Sequence, residues 1–201
     1  ASDVYKRQGN IMAIVLASQS PRRQELLARI GVEDFKTLSL DIDESYPEGL
    51  SPEDTVRYIA KKKCDAAAAL CAPDDLIITA DTMVFLDNDR LGKPRDEEDA
   101  LRMLRALSGR GHTVCTGVSV RRGAQEERFA VSTRVFFRPM TDDEIRAYIK
   151  TGEPMDKAGA YGVQSRGALF VERIDGDFFN VMGLPVEQLG LVLARFGVKL
   201  L

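Results

Sequence analysis

Apolar residues along this chain alternate between short unbroken runs and stretches with helical spacing, a pattern that predicts strand and helix in succession. Ala13–Ala17 is the first buried run. A helix is expected from Pro21 to about Ile30, with Ser20 placed to cap it, Pro21 at its first position and Gly31 to stop it. A second helix starts at Ser51-Pro52-Glu53-Asp54 and runs to about Leu70, its apolar positions Val56, Ile59, Ala60, Ala67 and Cys71 keeping helical spacing. Leu76–Ala80 reads as a strand and Met83–Leu86 as another, turning at Asp87-Asn88-Asp89. Asp96–Leu107 reads as a helix, with Gly109 beyond its end.

Thr113–Arg121 and Glu127–Phe137 read as two long strands joined by a turn at Arg122-Gly123-Ala124. Thr141-Asp142-Asp143-Glu144 has the capping-box form for a short helix to Lys150. Ala168–Ile174 is expected to be a strand and Pro185–Phe196 a closing amphipathic helix. Repeats, low-complexity tracts and Gly/Ser linkers are absent. The mixture of βα units with a long hairpin implies an α/β fold with a mixed central sheet.

Composition narrows the class. The 201 residues hold 28 Lys+Arg and 31 Asp+Glu, a net charge of −3, with 44% hydrophobic and 29% charged residues. That describes an ordinary globular chain of one domain or two lobes. The slight acidity disfavours a nucleic-acid partner, which usually needs a basic domain, while leaving room for a local basic pocket for a small anion. Cys64, Cys71 and Cys115 include no C-x-x-C pair, so neither a disulfide framework nor a zinc ribbon is indicated, and a reducing cytoplasm is the simplest setting. A single histidine, His112, excludes a His-rich metal site. No apolar run approaches the ~20 residues of a membrane span. Residues 1–11 are polar, precede Met12 and the first apolar strand, and read as a leader outside a single domain over 12–201.

Several polar segments could carry chemistry. In Leu16-Ala17-Ser18-Gln19-Ser20-Pro21-Arg22-Arg23, a strand enters a tight turn and then a helix whose first turn holds two arginines. Cations are unfavourable at a helix N-terminus, and a phosphate there would resolve the conflict through backbone N–H groups, hydroxyls and guanidinium forks; solvated arginines are the plainer alternative. Thr79-Ala80-Asp81-Thr82 ends the Leu76–Ala80 strand, where a carboxylate can hold Mg²⁺, take a proton from water, or simply cap a turn. Asp41-Ile42-Asp43-Glu44 offers hard oxygen donors, though acidic loops are usually just solvated. Lys93 lies between Gly92 and Pro94, and Lys61-Lys62-Lys63 lie on the second helix. Lys157 opens a run of small residues that ends at Gln164, whose amide could pair with a base edge; the run could equally be a tight structural turn. His112 has no Ser or Cys nucleophile motif beside it, and neither a P-loop nor a G-x-G-x-x-G motif occurs.

Taken together, Leu16–Leu27, Asp43-Glu44, Thr79–Thr82, Leu91–Pro94, Leu107-Ser108-Gly109, Lys157–Gln164 and Asn180–Pro185 resemble, in order, the motifs of the Maf family of nucleotide pyrophosphatases. The resemblance spans nearly the whole chain from Met12. It implies an elongated two-lobed fold with a deep cleft, similar to the inosine-triphosphate pyrophosphatases, and often a homodimer. It also implies hydrolysis of a nucleoside triphosphate to the monophosphate and pyrophosphate with Mg²⁺ or Mn²⁺. The Lys157–Gln164 segment looks like the branch acting on dTTP and UTP. In that branch Asp81 matches the proton acceptor, Glu44 the other acidic residue, and Arg22, Thr82 and Gln164 positions linked to substrate choice. Ser18, Arg23, Lys63 and Lys93 match polar residues around the phosphates, and Lys157 joins them as a candidate substrate contact.

The chemistry of the residues agrees with this. Charge on the transferring phosphorus would be neutralised by a metal on Glu44 and Asp81 together with Arg22, Arg23, Lys63 and Lys93. Asp81 serves either as general base or as the ligand of the metal that acidifies water. Two rival expectations are a pyrophosphatase for 7-methyl-GTP or another non-standard nucleotide, and a nucleotide-binding regulator of cell division.

Overall fold

The computed structural model describes residues 6–7 and 10–201. Of the expected leader, residues 1–5, 8 and 9 lie outside the described residues; β1 (Lys6–Arg7) and β2 (Asn10–Ile11) pair as an antiparallel ribbon separate from the main sheet. The main sheet is built from β3 (Ile14–Leu16), β4 (Phe35–Thr37), β5 (Leu76–Leu86), β6 (Asp89–Leu91), β7 (Gly111–Arg122), β8 (Gln125–Phe137) and β9 (Val171–Asp175). Its seven strands follow the order β4-β3-β5-β7-β8-β9, with β6 on β5. β3 runs parallel to β4 and β5, whereas β5–β6 and β8–β9 are antiparallel, so the sheet is mixed as expected. The helices are α1 (Pro21–Arg29), α2 (Pro52–Ala68), α3 (Glu97–Leu107), α4 (Asp142–Lys150), α5 (Phe178–Met182) and α6 (Val186–Arg195).

The chain forms two compact units. The first comprises residues 1–81, 116–131 and 183–201, and the second 82–115 and 132–182. In the first unit, Ile14, Leu16, Leu26, Leu27, Ile59, Leu76 and Ile78 are fully buried. The Ser20 hydroxyl caps α1 by accepting from the Arg23 N–H, and the Ser51 hydroxyl caps α2 through the Asp54 N–H at 3.1 Å. A Cβ on Gly117 would lie 2.3 Å from the Val56 backbone, so only glycine lets β7 come this close to α2. In the second unit, Asp96 caps α3 and Thr141 caps α4. Phe137 and Tyr161 pack edge to face with centroids 4.7 Å apart, and both rings meet the buried His112.

Three expectations need correction. No loop follows Ala80: β5 continues unbroken through Asp81 and Thr82 to Leu86. The polar side chains do not interrupt it because their partners are waiting: the buried Thr79 hydroxyl donates to the Ala60 carbonyl at 2.7 Å, and Asp81 meets Lys63. The strand expected from Ala168 begins only at Val171, because Arg166–Phe170 is a 3₁₀ turn. Its leading N–H groups, those of Arg166 and Gly167, are taken by the Glu153 carboxylate rather than by a neighbouring strand. Finally, Arg122 remains in β7 and the hairpin turn shrinks to Gly123-Ala124, with Gly123 at φ 59°.

Candidate active site

The first unit gathers six of the expected residues on neighbouring elements. β3 ends at Leu16, and the Ala17 N–H still bonds the Ile78 carbonyl at 3.0 Å, so the turn that follows leaves the sheet beside β5. Ser18 Oγ accepts the Ser20 N–H at 3.2 Å and Arg23 Nη1 at 3.4 Å. Arg23 Nε donates to the Gly183 carbonyl at 2.7 Å, which fixes the guanidinium at the mouth of α1. No acidic residue occupies the first turn of α1, and Arg22 and Arg23 are both half-buried. Burial pulls the Arg23 guanidinium below its usual value; Asp81 and Glu44 oppose this and Arg22 adds to it. Two adjacent cations at a helix N-terminus with no acidic residue in its first turn form a concentrated positive site suited to phosphate.

Lys63 is the hub of the acidic residues. It extends from α2, and its Nζ donates to the Ala80 carbonyl at 3.1 Å and to Asp81 Oδ1 at 3.2 Å, with Glu44 Oε1 at 3.4 Å. Its side chain is 15% exposed and that of Asp81 11%, whereas Glu44 is 54% exposed. Burial pushes the Asp81 carboxyl above the ordinary carboxylate value, and Glu44 adds to this, although Lys63 and Arg23 pull the other way. Asp81 Oδ2 is buried without a hydrogen-bond partner. A carboxylate with one anchored oxygen and one open oxygen can accept a proton or hold a hard cation. Among the described residues no cluster of three or more His, Cys, Asp or Glu forms. A cation here would therefore draw on the pair Glu44 and Asp81, and the donor set fits an ion that takes one or two carboxylates and completes its shell with substrate phosphates and water.

The other expected residues belong to the second unit. Thr82 follows Asp81 on β5 and is half-buried. Lys93 is exposed in the Leu91–Pro94 loop, where the Gly92 carbonyl accepts the Gly159 N–H at 3.1 Å and ties that loop to the Lys157–Gln164 segment. Gly159, at φ 72°, also sits against Val84, leaving almost no room for a side chain. Gln164 is exposed. Lys157 turns inward: its ammonium donates to the Glu153 carbonyl and the Asp156 carboxylate, both at 2.9 Å. Sequence reasoning gives Thr79 no role of its own and passes over Tyr148 and Glu153; their partners lie 13 to 19 residues away and leave no local pattern.

His112 is a core residue. Its Nε2 lies 2.6 Å from the Tyr161 hydroxyl, and burial, with Arg134 adding, brings its pKa from 6.5 down to about 3. The imidazole is therefore neutral near pH 7.

The architecture is that of the Ham1 proteins. The Staphylococcus aureus Ham1 protein matches 92% of this chain and 99% of its own, with TM-score 0.53 at 14% identity; a Coxiella burnetii HAM1 protein matches the same shares, with TM-score 0.53 at 15% identity. At such identity the likeness establishes the fold alone. Sequence goes further. The Maf-like protein family model matches residues 13–196, and this chain belongs to that family. It is 47% identical over 186 residues to the dTTP/UTP pyrophosphatase of Bacillus velezensis, covering 92% of this chain and 97% of the relative. It is 46% identical over 190 residues to that of Pelotomaculum thermopropionicum, covering 94% and 98%.

Proposed function

We propose that this chain hydrolyses dTTP and UTP to the monophosphate and pyrophosphate. The observation that carries the chemistry is the Lys63–Asp81–Glu44 cluster beside the paired arginines of α1: a buried carboxyl of raised pKa, one open oxygen, and cations for phosphate charge. The choice of substrate follows the names of the relatives.

In this reading Arg22, Arg23 and Ser18 hold the phosphates. Lys63 and Lys93 neutralise charge that builds as pyrophosphate departs. Asp81 either takes a proton from the attacking water, its raised pKa bringing proton affinity closer to the working pH, or serves as a ligand of the metal that acidifies that water. Thr82 and Gln164 bear on substrate choice, Gln164 by contact with the base edge, and Lys157 supports the segment that carries it. Glu44 and Asp81 would hold Mg²⁺ or Mn²⁺, which supplies charge neutralisation and a more acidic water when bound. The catalytic domain is residues 12–201, and the enzyme works in the cytoplasm as a homodimer.

The test is pyrophosphate release from dTTP, UTP, CTP, 7-methyl-GTP and ITP, with and without Mg²⁺ or Mn²⁺, for the wild type and Asp81→Asn. Metal-dependent release led by dTTP and UTP, and lost in the variant, is expected. Release led by another nucleotide would keep the reaction and overturn the substrate assignment. No release from any of them would favour the nucleotide-binding regulator instead.

A further inference from the structure

One carboxylate organises the loop that carries Gln164. Glu153 Oε1 accepts the Arg166 N–H at 3.2 Å and Oε2 the Gly167 N–H at 3.1 Å. The Ser165 and Tyr148 hydroxyls lie near the same carboxylate and favour its charged form. The Tyr148 hydroxyl in turn accepts the Gly162 N–H at 3.2 Å. Gln164 thus lies midway between two clamped points, Gly162 held by Tyr148 on one side and Arg166 held by Glu153 on the other.

The surrounding packing makes the clamp specific. A Cβ on Gly167 would lie 2.2 Å from the Gly162 carbonyl oxygen and 2.9 Å from Tyr148 Oη, so the two ends of the segment approach as closely as backbone allows. A Cβ on Gly162 would lie 2.7 Å from Lys157 Cε, which explains the inward course of Lys157 along the base of the loop. The Tyr148 ring is buried edge-on against Phe170, with centroids 5.0 Å apart, so its hydroxyl has a fixed position. Burial would raise the Glu153 pKa, yet the bonds from Ser165, Tyr148, Gly167 and Arg166 outweigh it and hold the carboxyl below its ordinary value. A charged acceptor of two successive backbone N–H groups is a strong local constraint.

We propose that Tyr148 and Glu153 are positioning residues that determine which nucleobase the enzyme accepts, by holding Gln164 between two clamped backbone points. The proposal rests on the reading of Gln164 as the base contact. Neither residue touches the reacting phosphorus, so loss of the clamp misplaces the amide and erodes selection among bases. A misplacement on the scale of an ångström is enough to change rates by an order of magnitude or more.

The experiment compares Tyr148→Phe, Glu153→Gln and Gln164→Ala with the wild type in kcat/KM for dTTP, UTP, CTP and ITP. Hydrogen exchange of the Gly162–Gly167 amides is followed alongside. The expected result is a drop of about tenfold in the ratio of best to poorest nucleotide in all three variants. Faster exchange at Gly162 is expected in Tyr148→Phe, and at Arg166 and Gly167 in Glu153→Gln. Should Glu153→Gln fail to fold, Tyr148→Phe decides the matter, since it keeps the ring against Phe170 and removes only the hydroxyl. An unchanged ratio in Tyr148→Phe and Glu153→Gln, while Gln164→Ala shifts it, overturns the positioning role and leaves the Gln164 reading standing. An unchanged ratio in Gln164→Ala overturns that reading and the proposal with it. A uniform loss across all four nucleotides in the clamp variants shows a structural role and also overturns it.

Discussion

Lys63 Nζ and Asp81 Oδ1 stand 3.2 Å apart, a pair joining the middle of α2 to the middle of β5 across 18 residues of sequence. The pair is largely buried, and the same ammonium bonds the Ala80 carbonyl, so its position is set by backbone as well as by charge. Opposite charge at this distance opposes the burial that raises the Asp81 pKa.

Lys63→Met should therefore leave a buried carboxyl without its main counter-charge and the phosphates without one cation. Steady-state kinetics should show kcat/KM down by about 100-fold or more, with Lys63→Arg recovering part of it. A Lys63→Met enzyme within threefold of wild type would remove Lys63 from the mechanism.

Thr79→Val keeps the shape of the side chain but removes the 2.7 Å bond from its hydroxyl to the Ala60 carbonyl, which stays in the ladder of α2. Urea unfolding should register a loss of about 0.5–1.5 kcal/mol. Because this bond helps set the register of α2 against β5, kcat should fall as well, without loss of the protein's solubility.

Gly117→Ala would place a methyl group 2.3 Å from the carbonyl carbon and oxygen of Val56. The obstacle is backbone, which cannot swing aside like a side chain. A destabilisation of about 3 kcal/mol is expected by denaturant titration, the upper end of ordinary overpacking.

His112 supplies a pH test. Its folded pKa of about 3 lies below the ordinary 6.5, so between those values the unfolded chain binds a proton that the folded chain does not. Stability is thus fully present above about pH 6.5 and falls as the pH drops toward 3. The slope contributed by this group is at most about 1.4 kcal/mol per pH unit. His112→Gln should flatten the stability profile between pH 4 and 6, as followed by thermal unfolding; an identical slope in both proteins would contradict a neutral buried imidazole.

Metal removal bears on Glu44 and Asp81. Dialysis against a chelator should abolish pyrophosphate release and Mg²⁺ or Mn²⁺ should restore it, since the protein alone offers two carboxylates around a single ammonium. In Glu44→Gln the metal concentration at half-maximal rate should rise several-fold. Full activity in the chelated enzyme would dismiss the metal.

Much of this architecture was legible from the order of residues. Ser20 and Thr141 cap the helices assigned to them, and Ser51 and Asp96, read as the first residues of theirs, prove to be caps as well, because a cap is satisfied by an N–H three residues away and depends on little else. The hairpin at Gly123 is legible for the same reason, although the residue order alone extends its turn to Arg122. The Ser18–Arg23 turn, proposed to hold phosphate, stands out by a broken local preference, arginines where a helix prefers acids. Asp81 was singled out for its chemistry but placed in a loop. It sits in an unbroken strand, and the partner that lets a carboxylate stay there, Lys63, comes from another element.

The residue order thus specified helix ends, turns, apolar faces and the motifs of a Maf-like chain, all properties that close within a few residues of one another. Folding settled the rest: that Lys63 bridges Asp81 and Glu44, that Asp81 Oδ2 is left open, that His112 is neutral, and that Glu153 gathers the N–H groups of Arg166 and Gly167. Burial and charge pairing act through space between residues far apart in the chain. Their strength depends on how much water the packed units exclude, and no window of sequence contains that quantity.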